Sequence, residues 1–531
     1  MAQGTAATGG TNADEVEALP MSPTERAQQD GTALLLSLTE FTKLVLQNNL
    51  DIAIQDTNEE NRRWSLTSAY GAYDPTLTLN TSISSNRSVS TNNFDTSMGG
   101  GTTKSDSFNY GLTFRQPLKS GGSLSISHSP SRSATNSNMS TMNPSYTGNL
   151  QVSYSQSLWR NLRVDNTRNQ IKLANLNIEL NDVEFKQSVT TTIANAQTRY
   201  WSLVSAIRNY EIQRRAVELA QMNLGDQRKR LDVGTIPPID VTTAEAQVTQ
   251  RGVSLIRAED QIMQAQNNLR QLVSSDRNSE IWKKVIVPTD IPDFKEYKID
   301  ADTAVAIAIQ NSPQMERLRM NMTQLNLQNQ LSREGKKWAV DLNASFRISG
   351  NAGQLASEEY AGRYKDSIIG GLPTYYKVMF SDPGSNWSVG VNITVPLKSR
   401  QLDATLAQQE IQKRQYLMQE RQNEQSIQVD VLNALQSLES SRREIDAAEA
   451  ARRVAELQLE GEVKRNDAGL SQNYRVLEVQ QQLSNQEYSL LQAQISYKQA
   501  IITLQRTMNN LLEAGDFSVA RGSSLNIPSL R

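Results

Sequence analysis

The feature that most constrains this chain is that its second half repeats the first in the same order. A helix running through Gln47-Asn48-Asn49-Leu50 returns as Gln310-Asn311-Ser312-Pro313, and the break Arg230-Leu231-Asp232-Val233-Gly234 returns as Arg465-Asn466-Asp467-Ala468-Gly469. Between these landmarks the composition switches in parallel. The first copy reads as helix 34–68, strand-like residues 73–159 rich in Ser, Thr, Asn and Gly, long helix 165–231 and helix 238–273. The second reads as helix 302–337, strands 339–397, long helix 402–467 and helix 472–512. Self-similarity of this kind means one supersecondary unit used twice. The chain is therefore read as repeat 1 (34–273), a connector (274–299) carrying Pro288 and Pro292, and repeat 2 (300–512), with tails at 1–33 and 513–531. Gly234 and Gly469 stand where a long helix stops, and Gly takes the left-handed turn there without steric cost.

The lengths restrict the architecture further. A long helix of about 65–70 residues reaches roughly 100 Å at 1.5 Å per residue. The two shorter helices of each copy add up to nearly the same length, which predicts two short helices stacked beside one long one. In copy one Ile193, Ala196, Tyr200, Leu203, Ile207, Tyr210, Val217 and Leu224 follow the 3/4 spacing of a heptad seam. Copy two continues it with Val431, Leu435, Leu438, Ile445 and Leu459. The remaining faces are Gln, Asn, Arg, Glu and Ala. So narrow a stripe suits a thin wall between two water-filled spaces, and it suits an ordinary coiled coil equally well.

The strand segments alternate: Leu77-x-Leu79-x-Thr81-x-Ile83, Tyr110-x-Leu112-x-Phe114, Leu124-x-Ile126 and Leu150-x-Val152-x-Tyr154, then Val340-x-Leu342-x-Ala344-x-Phe346 and Trp387-x-Val389-x-Val391-x-Ile393. One apolar face per strand is the weak signature of a membrane β-barrel. Tyr70, Tyr73, Trp159 and Trp338 cluster where helices meet strands, as an interfacial aromatic girdle would. On that reading the polar stretches 85–106, 131–146 and 351–385 are outer loops, with Gly99-Gly100-Gly101 as loop, and Lys119-Ser120-Gly121-Gly122 is a short inner turn. The bland alternative is a small soluble β-domain inserted in a coiled coil.

Composition excludes most chemistry. The chain has no Cys and one His, so thiolate and histidine metal clusters and cysteine nucleophiles are out, and neither a cofactor nor a metal site is expected. His128 is read as a surface residue rather than a ligand. With 54 Lys+Arg against 56 Asp+Glu there is no bulk charge to attract nucleic acid. Apolar runs such as Ala304–Ile309 are far short of the ~20 residues a membrane helix needs. Residues 1–20 have neither a basic nor an apolar leader region, so no signal peptide is read there. Only 37% of residues are hydrophobic, against roughly 45–50% in globular domains. Thin walls wet on both sides would account for that.

Leu38-Thr39-Glu40 through Asn48-Asn49, Tyr70-Gly71-Ala72-Tyr73-Asp74-Pro75, Gln156-Ser157-Leu158, Arg230–Val241, Pro396-Leu397 and Ala468-Gly469-Leu470, in that duplicated order, resemble the TolC-like outer-membrane efflux family over residues 34–515. The resemblance implies a mixed α and β membrane protein: a homotrimer whose strands close one transmembrane β-barrel in outer-membrane lipid and whose helices continue it as a coiled-coil periplasmic tunnel. It also implies a passive, non-enzymatic exit duct in a tripartite efflux or type I secretion system, partnered by a periplasmic adaptor and an inner-membrane transporter. A soluble coiled-coil scaffold with inserted β-modules remains the competing function.

Two departures from the family pattern matter. The family commonly has two strands per copy, hence twelve per trimer, whereas copy one here reads as four strands with an extra hairpin around 107–134. That leaves eighteen strands, or twelve with the hairpin folded into an outer cap. The tips Val233, Gly234, Thr235 and Ala468, Gly469, Leu470 are where the resemblance places adaptor contact. Just inside, the family's constricting aspartate pair falls on Arg475 and Glu478, Asp240 matches a family aspartate that helps close the mouth, and the position of its usual aromatic partner is held here by Asn466. Salt links of Arg475 and Glu478 closing the mouth are one reading; solvated helix-end charges are the other. Arg228, Lys229, Arg230, Lys464 and Arg465 are read as cations suited to the helix dipole.

Overall fold

The computed structural model describes residues 20–89, 101–137, 139–360, 362–515 and 517. Most of both tails and the residues 90–100 of the first outer loop, Gly99 and Gly100 included, lie outside them. Two compact units divide the chain: Met1–Glu60 with Asn181–Leu318 and Met418–Arg531, and Asn61–Leu180 with Arg319–Leu417. Each unit takes parts of both sequence halves, because the long helices pass through both.

The first unit opens with α1 (Pro23–Gln29), fixed by a capping box in which Ser22 Oγ accepts from the Glu25 N–H and the Glu25 carboxylate accepts from Ser22 N–H. Part of the expected tail is thus ordered. The expected helix 34–68 is three elements instead. Leu34–Leu36 fall in β1 (Ala33–Leu36), parallel to β7 (Val285–Pro288) of the expected connector. A second capping box, Ser37 with Glu40, starts α2 (Leu38–Asn48). Asn49 then restarts the helix as α3 (Leu50–Tyr70), its Oδ1 accepting from Asp51 N–H at 2.9 Å while its amide donates to the Leu272 carbonyl. A leucine run fits either period, and its partner strand lies about 250 residues away, so nothing local reveals the strand.

The other half shows the same kind of break. Here α6 (Ala301–Gln310), capped by Asp300, ends at Asn311, and α7 (Pro313–Gly335) follows. The long helices are α4 (Asn166–Asp232, 67 residues) and α9 (Arg400–Asp467, 68 residues). Their return partners are α5 (Pro238–Val273) and α10 (Asn473–Thr507), closed by the short α11 (Leu511–Ala514). Two apolar cores form around these hairpins, and α10 serves both. Leu491, Ile495 and Ile502 face the core of α2, α4 and α5, whereas Ala493, Tyr497, Ala500 and Leu504 face that of α6 and α9. The heptad stripe is buried where those cores lie, with Ile193, Ala196, Tyr200, Leu203, Tyr210 and Val431 inaccessible, and it loosens toward the hairpin turns, where Leu224 and Leu459 are half-buried. Tyr200, fully enclosed, donates its hydroxyl to Asp290 Oδ2 at 2.7 Å and the Leu36 carbonyl at 3.0 Å, and burial raises its pKa.

The second unit holds one sheet in the order β2 (Thr76–Val89), β3 (Thr102–Pro117), β4 (Gly122–His128), β6 (Met142–Ser157), β8 (Ala339–Leu355), β9 (Gly384–Thr394). The short β5 (Ser131–Thr135) prolongs the lane of β4, since both lie between β3 and β6 in continuous register. Every pairing is antiparallel. The hairpin expected around 107–134 is therefore inside the sheet, and the reading that folds it into a separate cap is corrected. The outer loops are also shorter than the composition implied, because 131–135 and 142–146 are strand. Residues 351–385 are not simply loop: β8 runs on to Leu355 and α8 (Leu372–Ser381) forms. None of the described helices is long and apolar enough to cross a membrane.

Candidate functional site

The two hairpin turns of the first unit are built alike. Thr235 N–H returns to the Arg230 carbonyl at 2.9 Å and Gly234 N–H to that of Leu231 at 2.8 Å; Leu470 N–H returns to Arg465 at 2.9 Å and Gly469 N–H to Asn466 at 2.9 Å. With Gly234 at φ +73° and Gly469 at φ +71°, both are Schellman ends. Such an end is fixed mainly by the backbone, and at the first turn Thr235 Oγ1 adds a bond to the Arg230 carbonyl at 2.8 Å. Val233 and Leu470 are each 73% exposed, and Ile239 and Tyr474 join them at the surface. Thr235 and Ala468 are exposed too. The turns differ chemically: the first continues into Pro237-Pro238, the second into Ser471-Gln472.

Just above the turns, polar groups tie one hairpin to the other. Arg230 Nη1 donates to Asn466 Oδ1 at 3.5 Å, and Asn466 donates to the Ser471 carbonyl at 3.3 Å. Asn223 and Asn473 exchange amide bonds at 2.8 and 2.9 Å, joining α4 to α10. Arg475 donates to Glu478 at 2.8 Å within α10, one turn apart and both exposed. Asp240 sits half-buried in the first turn of α5, and no hydrogen bond joins it to Asn466 among the described residues. Of the four gate candidates, then, the chain pairs two with each other and links a third to Arg230. Arg228 reaches Glu245 at 2.9 Å and Lys464 reaches Glu460 at 2.7 Å, as helix-end cations do. The Asn223–Asn473 pair and the role of Arg230 were missed because their partners are far apart in sequence.

The sheet has two chemically opposite faces. One hydrogen-bonded row across all six lanes reads Leu77, Phe114, Ile126, Val152, Phe346, Trp387. The adjacent row, on the other face, reads Thr78, Thr113, Ser127, Gln151, Arg347, Asn386. On β8 the apolar side runs from Val340 to Ile348, about 26 Å of strand at ~3.3 Å per residue. Charges close it at the far end, where Lys104 pairs with Asp106 at 2.6 Å. At the near end stand Tyr70, Tyr73, Trp159 and Trp338, all at helix–strand junctions. Trp159 and Trp338 are largely exposed, and Lys337 Nζ lies 6.0 Å from the Trp159 ring. The tight turn at Gly121 (φ +86°) belongs to that same end, where Ser120 hydrogen-bonds Gln156.

Toward the far end α8 packs on the apolar face. Tyr375 and Met379 are buried against Tyr146, Leu150, Ile348 and Ala352. Gly148 and Gly350, paired across β6 and β8, make the seat: a Cβ on Gly350 would stand 2.9 Å from Met379 Cβ, and one on Gly148 2.5 Å from the Tyr375 hydroxyl. Two glycines in register inside strands were the available signal for a close approach. His128, expected at the surface, is half-buried there, with Nδ1 3.0 Å from the Asn149 carbonyl and Nε2 3.2 Å from the Tyr376 hydroxyl. Among the described residues no cluster could hold a metal ion.

Residues 123–275 and 304–510, more than half of the chain, match the family model described as outer membrane efflux protein. No curated protein matches at a significant level. Among solved structures, the CmeC outer membrane channel of Campylobacter jejuni aligns over 92% of this chain and 87% of its own, with TM-score 0.61 and 16% identity. VceC from Vibrio cholerae aligns over 92% and 98%, with TM-score 0.59 and 14% identity. The open-state MtrE channel of Neisseria gonorrhoeae aligns over 90% and 89%, with TM-score 0.58 and 16% identity. At these identities the likeness is one of fold.

Proposed function

Because the chain belongs to the outer membrane efflux protein family, whose members are outer-membrane channels extending into the periplasm, we propose that three copies form a passive exit duct. The observation that carries this reading is the six-lane sheet with an unbroken apolar row on one face and an unbroken polar row on the other. Such a sheet needs lipid on one side and water on the other, which a closed barrel in a membrane provides. Tyr70, Tyr73, Trp159 and Trp338 mark the inner membrane–water boundary. The helical hairpins form a periplasmic tunnel, and their half-buried seams at Leu224 and Leu459 meet neighbouring copies.

The tips Val233-Gly234-Thr235 and Ala468-Gly469-Leu470 receive a periplasmic adaptor, and an inner-membrane transporter supplies the energy and chooses the cargo. The chain itself makes and breaks no bonds and requires no cofactor. Its mouth is set by Asp240, Asn466, Arg475 and Glu478: Asn466 is braced by Arg230, and Arg475 with Glu478 places paired charges beside the opening, where they can exchange partners with neighbouring copies within a Debye length of ~8 Å.

Fractionation followed by reconstitution tests the duct. The protein is expected in the outer-membrane fraction, to require detergent for extraction, to run as a trimer, and to conduct ions in planar bilayers. A protein that stays soluble without detergent and opens no conductance is a coiled-coil scaffold instead.

A further inference from the structure

We infer that the membrane barrel of this duct has eighteen strands, six from each copy, closed by pairing β9 of one copy with β2 of the next. The inference rests on the duct reading and fixes the bore of its membrane segment. The sheet itself supplies the count. All six lanes are hydrogen-bonded side by side, with β3 and the β4–β5 lane between β2 and β6 rather than apart from them. All six alternate in phase, so each would place one face in lipid and the other in water.

Closure follows from the two edges. Each residue of β2 and β9 is exposed, including Ile83 at 83% and Trp387 at 75%. Bare edges of 14 and 11 residues invite pairing with another chain. The partner must be a second copy, because the edges fit each other. Along the sheet β2, β4 and β8 run one way and β3, β6 and β9 the other, so β9 beside a neighbour's β2 continues the antiparallel order. Odd-numbered residues carry the apolar side on both edges (Leu77, Leu79, Ile83; Trp387, Val389, Val391, Ile393), so the faces continue as well.

The stagger agrees. Set base to base, Ile393 stands opposite Leu77 of the neighbour, and Trp387 stands opposite Ile83. The hydrogen-bonded row that leaves Leu77 and reaches Trp387 then re-enters the next copy at Ile83. It climbs one residue per strand, which is ~3.3 Å along for every ~4.8 Å across and corresponds to a tilt of about 35°, within the usual range for barrels. Six strands alone would enclose no bore, since even eight are filled by side chains. Eighteen at this tilt span about 34 Å between backbone walls, against about 22 Å for twelve, from the same spacing. The membrane segment is therefore about 1.5 times wider than a twelve-stranded one.

The full-length trimer in lipid nanodiscs, imaged by cryo-electron microscopy, tests the count; cysteine cross-linking in outer-membrane vesicles tests the closure. The native chain has no Cys, so Ser82→Cys with Ser388→Cys gives a clean pair on the water face. Expected are eighteen strands, a wall-to-wall diameter of about 34 Å from the same spacing and tilt, and covalent dimers and trimers with a short bis-maleimide that neither single variant gives. A twelve-stranded ring with residues 102–135 outside it overturns the inference and leaves the duct standing. Failure of every β2–β9 pair tried, in any register, overturns the closure. A particle with no ring at all removes the duct reading and this inference with it.

Discussion

At the scale of single residues, the tips depend on backbone conformation more than on side chains. Gly234 and Gly469 hold left-handed φ values and have open space around the missing Cβ, so the penalty for another residue there is conformational and not a clash. Gly469→Val is expected to cost about 1–2 kcal/mol at the second turn, seen as faster hydrogen exchange at the Leu470 amide with the sheet unaffected. The charges beside the turn behave differently. Arg475 and Glu478 are exposed and one turn apart, so their pair contributes about 0.5 kcal/mol or less to folding. Arg475→Ala should leave the melting temperature nearly unchanged and raise single-channel conductance; an unchanged conductance removes these residues from the mouth. The glycines were legible in the sequence because a helix-ending Gly is a local pattern, whereas Arg475 and Glu478 come from the family resemblance. The brace of Asn466 by Arg230 was not, since it spans 236 positions.

At the scale of elements, the long helices were readable from period and length, whereas elements that depend on distant partners were hidden. The Leu34–Leu36 strand exists because Val285–Pro288 pairs with it, and α8 exists where Gly148 and Gly350 leave room for it. Strand β5 falls in a stretch whose composition reads as loop, because a Ser/Thr-rich strand with one wet face looks like one. Gly350→Val drives a branched side chain into Met379 and the Tyr375 carbonyl, so α8 should detach and segment 356–383 become protease-sensitive in assembled trimers, with β8–β9 pairing retained. On α9, Glu439 accepts hydrogen bonds from Arg442 and Arg443, which hold its pKa down to about 2. A depressed carboxylate stabilises the folded state fully above its ordinary pKa of 4.5 and loses that contribution as pH falls toward 2. Thermal stability should decline over that interval, and Glu439→Gln should lack this part of the decline.

At the scale of the whole molecule, the duplication was the strongest sequence signal, yet the compact units cut across it, because helices of 67 and 68 residues carry each half through both. What unifies the sheet is the alternation of β9, where neighbouring residues must meet opposite solvents. Val391 lies on the apolar face opposite Leu342, and Asn392 on the polar face opposite Asp341. An Arg at each position therefore has opposite consequences. Val391→Arg places a cation in hydrocarbon, a penalty of about 2–4 kcal/mol per copy near the midplane. In the proposed trimer three copies bear it at once. The yield of detergent-resistant trimer in the outer membrane should therefore fall steeply. In the proposed trimer Asn392→Arg adds three cations to the water side of the wall, where solvation persists and only the field changes. Trimer yield should hold, while the reversal potential under a salt gradient moves toward anion selectivity. If both variants assemble equally well, β9 does not separate lipid from water, and the amphipathic sheet loses its meaning as a barrel wall.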